Sequence, residues 1–249
     1  MKNLLITAGT ILALTTAANA QQTVRIATEG AYAPWNFLDD AGAPAGFEIE
    51  LGNAMCAEAG LTCEWIINDW DSIIPNLLAG NYDVIMAGMS ITDERLETIA
   101  FTENYFPADP SRFVASTGTQ IDAAALDGKR IGVQGGTIQA DYATANFTTG
   151  TVVSFTTADQ AIADLSAGNL DTIFADGAYL APIVTASNGT FDFVGEDILI
   201  GDGYAAGLRK EDADLKATLD AAIGALKVNG TLDELIAKWF DDAGPFFAQ

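Results

Sequence analysis

Two stretches of this chain repeat each other. Leu77-Leu78-Ala79-Gly80-Asn81-Tyr82-Asp83-Val84-Ile85-Met86-Ala87 returns 88 positions later, with substitutions, as Leu165-Ser166-Ala167-Gly168-Asn169-Leu170-Asp171-Thr172-Ile173-Phe174-Ala175. Each copy reads as the end of a helix, a glycine that stops it, and a short apolar strand. A second echo pairs Arg25-Ile26-Ala27-Thr28-Glu29-Gly30 with Arg130-Ile131-Gly132-Val133-Gln134-Gly135, each a strand running into a loop. Two echoes in the same order describe two lobes built to one design.

In the first lobe, helical patterns at residues 48–59 and 72–79 alternate with strands near residues 24–28, 62–67 and 84–89. In the second, helices near 137–145, 157–167 and 177–185 alternate with strands at 130–133, 151–155 and 172–175. Such alternation predicts an α/β fold in which each lobe is a mostly parallel sheet flanked by helices. Ligands of such sheets sit beyond the carboxyl ends of the strands. That rule gathers residues 29–32 and 87–95 from one lobe, and residues 134–139 with Asp176 from the other, at a cleft between them.

A strand-like Gly203-Tyr204-Ala205-Ala206-Gly207-Leu208 follows the second lobe, and then amphipathic helices at about 213–228 and 231–240. Those helices need a sheet to cover, so the chain is expected to cross back. The expected organisation is a leader at 1–20, the first lobe at 21–109, the second at 110–202, and the rest of the first at 203–249. Hinge strands are expected near 108–114 and 200–206.

Composition limits the function. Apolar residues make up 49% of the 249, yet no run reaches the roughly 18 uninterrupted apolar residues of a membrane span. With 34 acidic residues against 11 basic ones, the formal charge of -23 repels phosphate backbones, so no nucleic-acid partner is expected. The chain contains no histidine, which removes Ser-His-Asp and Cys-His nucleophiles and imidazole zinc sites. No Ca-binding D-x-[DN]-x-[DN]-G loop occurs, and neither a metal nor a cofactor is expected.

Lys2, an apolar stretch from Leu4 to Leu14, and Ala18-Asn19-Ala20 make a cleavable secretory leader. Its removal takes Lys2 and leaves a net charge of -24. The first cysteine, Cys56, lies far beyond the cleavage point, so no lipid anchor at the mature N-terminus is expected, and the product should be free in the periplasm. Cys56 and Cys63 are an even pair in an exported chain and read as one disulfide, worth about 2.5 kcal/mol in the chain-entropy view. The alternative, two thiols for metal or redox work, lacks C-x-x-C spacing.

Five motifs then stand in one order: Thr28-Glu29-Gly30-Ala31-Tyr32-Ala33-Pro34-Trp35, Gly46-Phe47-Glu48-Ile49-Glu50-Leu51, Trp70-Asp71-Ser72-Ile73-Ile74-Pro75-Asn76-Leu77, Ser90-Ile91-Thr92-Asp93-Glu94-Arg95, and Asn229-Gly230-Thr231 with Lys238-Trp239-Phe240. Over nearly all of the mature chain the sequence resembles the polar amino-acid-binding proteins of bacterial ABC importers, the group of the lysine/arginine/ornithine, histidine, glutamine and octopine/nopaline receptors. The resemblance implies the two-lobe periplasmic-binding-protein fold, and it places Cys56 and Cys63 where the basic amino-acid receptors look to have a disulfide.

By position, the resemblance gives Arg95 the ligand's α-carboxylate, with the Ser90 hydroxyl and backbone N–H groups near Ser90 and Thr137 completing that shell. Asp176 receives the α-ammonium. Tyr32 and Trp70 match the aromatics that sandwich the ligand side chain, and Glu29 matches an acid reaching its distal end. Ala87 and Gly88 are closer to the glutamine receptors than to the lysine/arginine receptors, and Gln134 stands where a glutamine receptor has a lysine. Gln139 completes the candidate set. A pocket with an acid at its end favours arginine or a larger arginine derivative such as an opine. The expected partner is an ABC permease, met transiently by a monomeric receptor that closes on its ligand. The rival on the same scaffold is an enzyme resembling the periplasmic cyclohexadienyl dehydratases, with Glu29 as its acid. Arg95 and Asp176 together suit an intact zwitterion better, so no catalytic residue is expected.

Overall fold

A computed structural model describes residues 22–119, 121, 126–241 and 243–247. The expected leader lies outside these residues. In chain order the first elements are β1 (Thr23–Thr28), β2 (Ala31–Tyr32), β3 (Asn36–Leu38), β4 (Pro44–Ala45), α1 (Phe47–Glu58), β5 (Thr62–Ile67), α2 (Trp70–Leu78), β6 (Val84–Ile85), α3 (Asp93–Thr98) and β7 (Ala100–Phe101). Then come β8 (Ser111–Ser116), β9 (Arg130–Gln134), α4 (Ile138–Asn146), β10 (Thr151–Phe155), α5 (Ala158–Ser166), β11 (Thr172–Asp176), α6 (Gly177–Ala186) and β12 (Phe191–Ile198). The chain ends with β13 (Gly207–Leu208), α7 (Ala213–Val228) and α8 (Thr231–Trp239).

The strands form two five-stranded sheets, ordered β5-β1-β6-β13-β7 and β10-β9-β11-β8-β12, and a small sheet β2-β3-β4. In each large sheet the first strand of the repeat lies between two parallel neighbours. The fourth strand, β13 or β8, is antiparallel to both of its neighbours. The sheets are therefore mixed, where alternation alone predicts parallel pairing. The antiparallel strands come from chain that has just passed between the sheets, so no local helix–strand rhythm announces them.

The two echoes of the sequence meet in each sheet. Ile26 and Ala27 pair with Val84 and Ile85, and Ile131 and Gly132 pair with Thr172 and Ile173, the equivalent positions of the repeat. At the open end of each pairing the repeated aspartate accepts the backbone N–H of the repeated arginine: Asp83 from Arg25 at 3.0 Å and Asp171 from Arg130 at 2.8 Å. Burial pushes the Asp83 carboxyl up, but the Arg25 guanidinium and backbone bonds outweigh it and hold it below the ordinary range. Asp171 is lowered chiefly by the Arg130 N–H.

Two links join the sheets, residues 102–110 leading into β8 and residues 199–206 leading into β13. They touch: Tyr204 N–H donates to the Phe106 carbonyl at 3.0 Å and Tyr105 N–H to the Tyr204 carbonyl at 2.9 Å. Trp35, fully buried, has its ring within 4.4–5.8 Å of Phe47, Phe106, Tyr204 and Phe240, which ties the small sheet, α1, both links and the C-terminal helix into one aromatic cluster. The helices α7 and α8 pack on α1. There Glu50 accepts Lys238 Nζ at 2.6 Å and Trp239 Nε1 at 3.3 Å, joining two of the five sequence motifs. Cys56 at the end of α1 and Cys63 in β5 form a disulfide.

Candidate functional site

The carboxyl ends of β1, β6, β9 and β11 face one another across a narrow, nearly filled cavity. Its lining holds all eleven residues proposed from sequence, Glu29, Tyr32, Trp70, Ala87, Gly88, Ser90, Arg95, Gln134, Thr137, Gln139 and Asp176, together with Ile138. Ile138 was missed because an apolar residue at the first position of a helix carries no chemical signal. The pocket draws on both sheets, so its walls come from chain segments more than a hundred residues apart.

Arg95 reaches the cavity from α3, whose N-cap Thr92 accepts the Arg95 N–H at 3.1 Å through its hydroxyl. The guanidinium donates to the Ser90 carbonyl at 2.9 Å and, from the opposite wall, to the Gly136 carbonyl at 3.3 Å. Its Cζ lies 5.3 Å from the centroid of the Trp70 ring. Among the described residues no carboxylate lies within ion-pair distance of it. Burial pulls the guanidinium below its ordinary value, while Asp176 and Asp141 act the other way. A guanidinium so placed stays charged and offers its planar fork to an anion.

Asp176 closes the other side. It is the N-cap residue of α6, but its side chain makes no cap bond and turns to the cavity. Oδ2 accepts the Tyr32 hydroxyl at 2.5 Å, and Oδ1 accepts the Tyr204 hydroxyl at 2.6 Å and Gln139 Nε2 at 2.8 Å. Burial raises the carboxyl above its usual value, although these three donors and Arg95 pull it down. Arg95 and Asp176 thus line one gap without forming an ion pair, a layout that complements a small zwitterion.

Glu29, at the end of β1, is buried and accepts Gln134 Nε2 from the other lobe at 2.7 Å. Loss of hydration pushes its carboxyl up to about 7; Gln134 opposes this, and the charges of Asp159, Asp69 and Asp71 add to it. Thr137 caps α4, its hydroxyl accepting the Ala140 N–H at 3.2 Å and donating to the Gln134 carbonyl at 2.7 Å. That hydroxyl is spent on the turn, and what the α4 terminus presents to the cavity is backbone.

Both aromatics expected to flank a ligand side chain line the cavity. Tyr32 has one ring face stacked on Tyr179, centroids 4.2 Å apart and planes within 4°, and its hydroxyl is on Asp176. Trp70 carries the Arg95 guanidinium near its ring. Each lines the cavity while already engaged with a neighbour.

Sequence reasoning also missed the residues that set the loops. Glu48, wholly buried in the first turn of α1, accepts the Gly88 N–H on both oxygens at 2.8 and 2.9 Å, Asn36 Nδ2 at 2.8 Å, and the Tyr105 hydroxyl. Asn36 in turn accepts the Gly30 N–H at 2.8 Å. One buried carboxylate therefore ties down both first-lobe loops of the cavity. Gly88 has φ +61°, a backbone conformation that favours glycine, while a Cβ there would make only ordinary contact with the Tyr32 ring at 3.5 Å.

The sequence model of the bacterial extracellular solute-binding proteins, family 3, matches residues 24–242. The chain belongs to that family. It is 36% identical to the lysine/arginine/ornithine-binding periplasmic protein of Escherichia coli strain K12, over 97% of this chain and 98% of the relative. Among solved structures it is similar to a periplasmic His/Glu/Gln/Arg/opine family-binding protein from Silicibacter pomeroyi in complex with lysine, with 51% identity, a TM-score of 0.83, and coverage of 89% of this chain and 99% of that one. It is also similar, at 27% identity and a TM-score of 0.80, to an ancestral amino acid-binding protein described as a precursor of cyclohexadienyl dehydratase, covering 88% of this chain and 95% of that one. The two-lobe α/β architecture expected from the repeat is the architecture of this family.

Proposed function

We propose that this chain is a periplasmic receptor that closes on a polar, basic L-amino acid, arginine or an arginine derivative such as an opine, and delivers it to an ABC-type permease in the inner membrane. Arg95 holds the α-carboxylate, joined by Ser90 and the backbone at Thr137. Asp176, oriented by Tyr32, Tyr204 and Gln139, holds the α-ammonium. Trp70 and the free face of Tyr32 flank the side chain, over a floor of Ala87 and Gly88. Glu29 and Gln134 meet its distal end. Residues 21–109 and 203–249 make one lobe and 110–202 the other, and the leader at 1–20 is cleaved to give a monomer free in the periplasm.

The observation that carries this reading is the placement of Arg95 and Asp176 on facing walls of one cavity, each lacking an ion-pair partner among the described residues. Contacts from both lobes to one ligand favour the closed form by their differential affinity. A thermal-shift panel over the twenty amino acids, ornithine, citrulline and opines tests it. A ligand at 100 times its Kd adds about 2.7 kcal/mol of stability. Basic amino acids should raise Tm in the wild type, and Arg95→Ala should lose every shift; a variant that still responds would remove Arg95 from the site.

One observation favours a second reading. A carboxyl held up to about 7, as Glu29 is, suits a general acid in a water-eliminating enzyme of the dehydratase kind. Incubation with arogenate or prephenate decides it, because release of an aromatic product would make the chain an enzyme.

A further inference from the structure

Among the described residues β2 packs on α5 across the cleft, and four further contacts there bear on closure. Three of them use groups that face the cavity: Tyr32 Oη on Asp176, Gln134 Nε2 on Glu29, and Arg95 on the Gly136 carbonyl. Those contacts can be exchanged for contacts with a ligand. The fourth is the stack of Tyr32, in β2, on Tyr179, in α6. Tyr179 does not line the cavity; it is 1% exposed, and its hydroxyl donates to Asp159 Oδ1 at 2.7 Å. Asp159 sits on the exposed first turn of α5, so the ring is braced from its own lobe and offers a flat face to the other.

Closure also has an opponent. Bringing α5 toward the first lobe places the Asp159 charge near Glu29, which already feels Asp69 and Asp71 from its own lobe. Without a cation in the cavity, these carboxylates work against the closed form. A contact that is made on closing, owes nothing to the ligand, and is apolar offsets that repulsion.

We propose that Tyr179, braced by Asp159, is a positioning residue that acts through Tyr32 as a latch between the lobes, raising the affinity for every ligand by one common factor without reading the side chain. The latch rests on the domain-closure reading above. A ligand that requires the closed form has its apparent affinity scaled by the closed fraction of the free protein. Losing an aromatic stack that forms only on closing therefore weakens all ligands together, by about three- to tenfold for a pair of this kind.

The test uses the mature chain, with Tyr179→Leu to keep an apolar filling without a flat ring and Tyr179→Phe to keep the ring without the hydroxyl. Calorimetric titration with arginine, lysine and glutamine is combined with small-angle scattering of the ligand-free proteins. Tyr179→Leu should weaken each detectable ligand by the same three- to tenfold factor, and its ligand-free particle should have a larger radius of gyration than the wild type. Tyr179→Phe should stay within about twofold. An unchanged radius together with unchanged affinities overturns the latch, and so does the loss of one ligand with the others spared, which would make Tyr179 a specificity contact. If Tyr179→Leu does not fold, Tyr179→Met, a flexible apolar side chain that adapts to the same space without a flat ring, takes its place: the same common three- to tenfold weakening is expected, and no change overturns the proposal. A wild type that binds no amino acid sinks the receptor reading, whereas the scattering comparison still judges the latch.

Discussion

Loss of hydration, opposed by Gln134 and reinforced by Asp159, Asp69 and Asp71, leaves Glu29 with a carboxyl that titrates at about 7 against an ordinary 4.5. Between those two values the folded chain holds a proton that the unfolded chain has lost. Stability contributed by this group is thus fully present below pH 4.5 and is lost as pH rises to and through about 7, by about 3 kcal/mol in all. Thermal unfolding of the ligand-free protein at pH 5 to 8 should show this decline, and Glu29→Gln should flatten it. A cationic side chain reverses the preference by favouring the carboxylate. Arginine uptake near pH 6 should therefore release a proton, measurable by calorimetry in buffers of different ionisation enthalpy, and arginine affinity should rise up to about tenfold per pH unit between 6 and 7. Glutamine should show neither effect. The position of Glu29 was legible in the sequence because it follows the carboxyl end of a strand, where ligands of such sheets sit. Its proton affinity was not, because Asp159 and Gln134 come from the other lobe. The same reason hid Tyr179 and Tyr204, whose partners stand across the cleft from them, and left Glu48 looking like an ordinary first-turn acid.

At the level of elements, the repeat proved to be a physical unit. The helix–glycine–strand segment carries, just before its strand, an aspartate that holds the first strand of its own lobe, Asp83 on Arg25 and Asp171 on Arg130. Asp83 carries more: Arg25 Nη2 at 2.8 Å and Arg209 Nη2 at 3.3 Å, the latter just past the strand β13 that returns after the second lobe. Asp83→Ala should therefore cost about 1–3 kcal/mol in urea unfolding, and Asp171→Ala, whose partners are more exposed, nearer 1 kcal/mol. Equal losses would mean that the Arg209 contact adds nothing. Most elements were readable because their signals are local, such as Thr137 and Thr157 as N-caps whose hydroxyls accept from Ala140 and Gln160. The strand expected over 84–89 ends at Ile85, because the backbone beyond it bends into the cavity loop that Glu48 holds at Gly88. The strands β8 and β13 were harder to place in their sheets, since each pairs with chain distant in sequence, and pairing of that sort leaves no period to read.

For the molecule as a whole, a net charge far below zero and a cavity lined by one guanidinium and two carboxylates describe a protein suited to small cations that also carry an anionic end. Long-range attraction speeds their arrival, and the bound geometry is left to a few fixed groups. The lobes meet through contacts at the cavity, the Tyr32–Tyr179 stack, and the paired links at Phe106 and Tyr204, where rotation of one lobe against the other is resisted least by regular structure. The central claim is that Arg95 and Asp176 grip the two ends of one amino acid. A crystal structure with the amino acid that gives the largest thermal shift tests it most directly. The account predicts the α-carboxylate in a paired hydrogen bond with the Arg95 guanidinium and the α-ammonium on Asp176; a ligand seated with its carboxylate elsewhere, or outside this cavity, would contradict it.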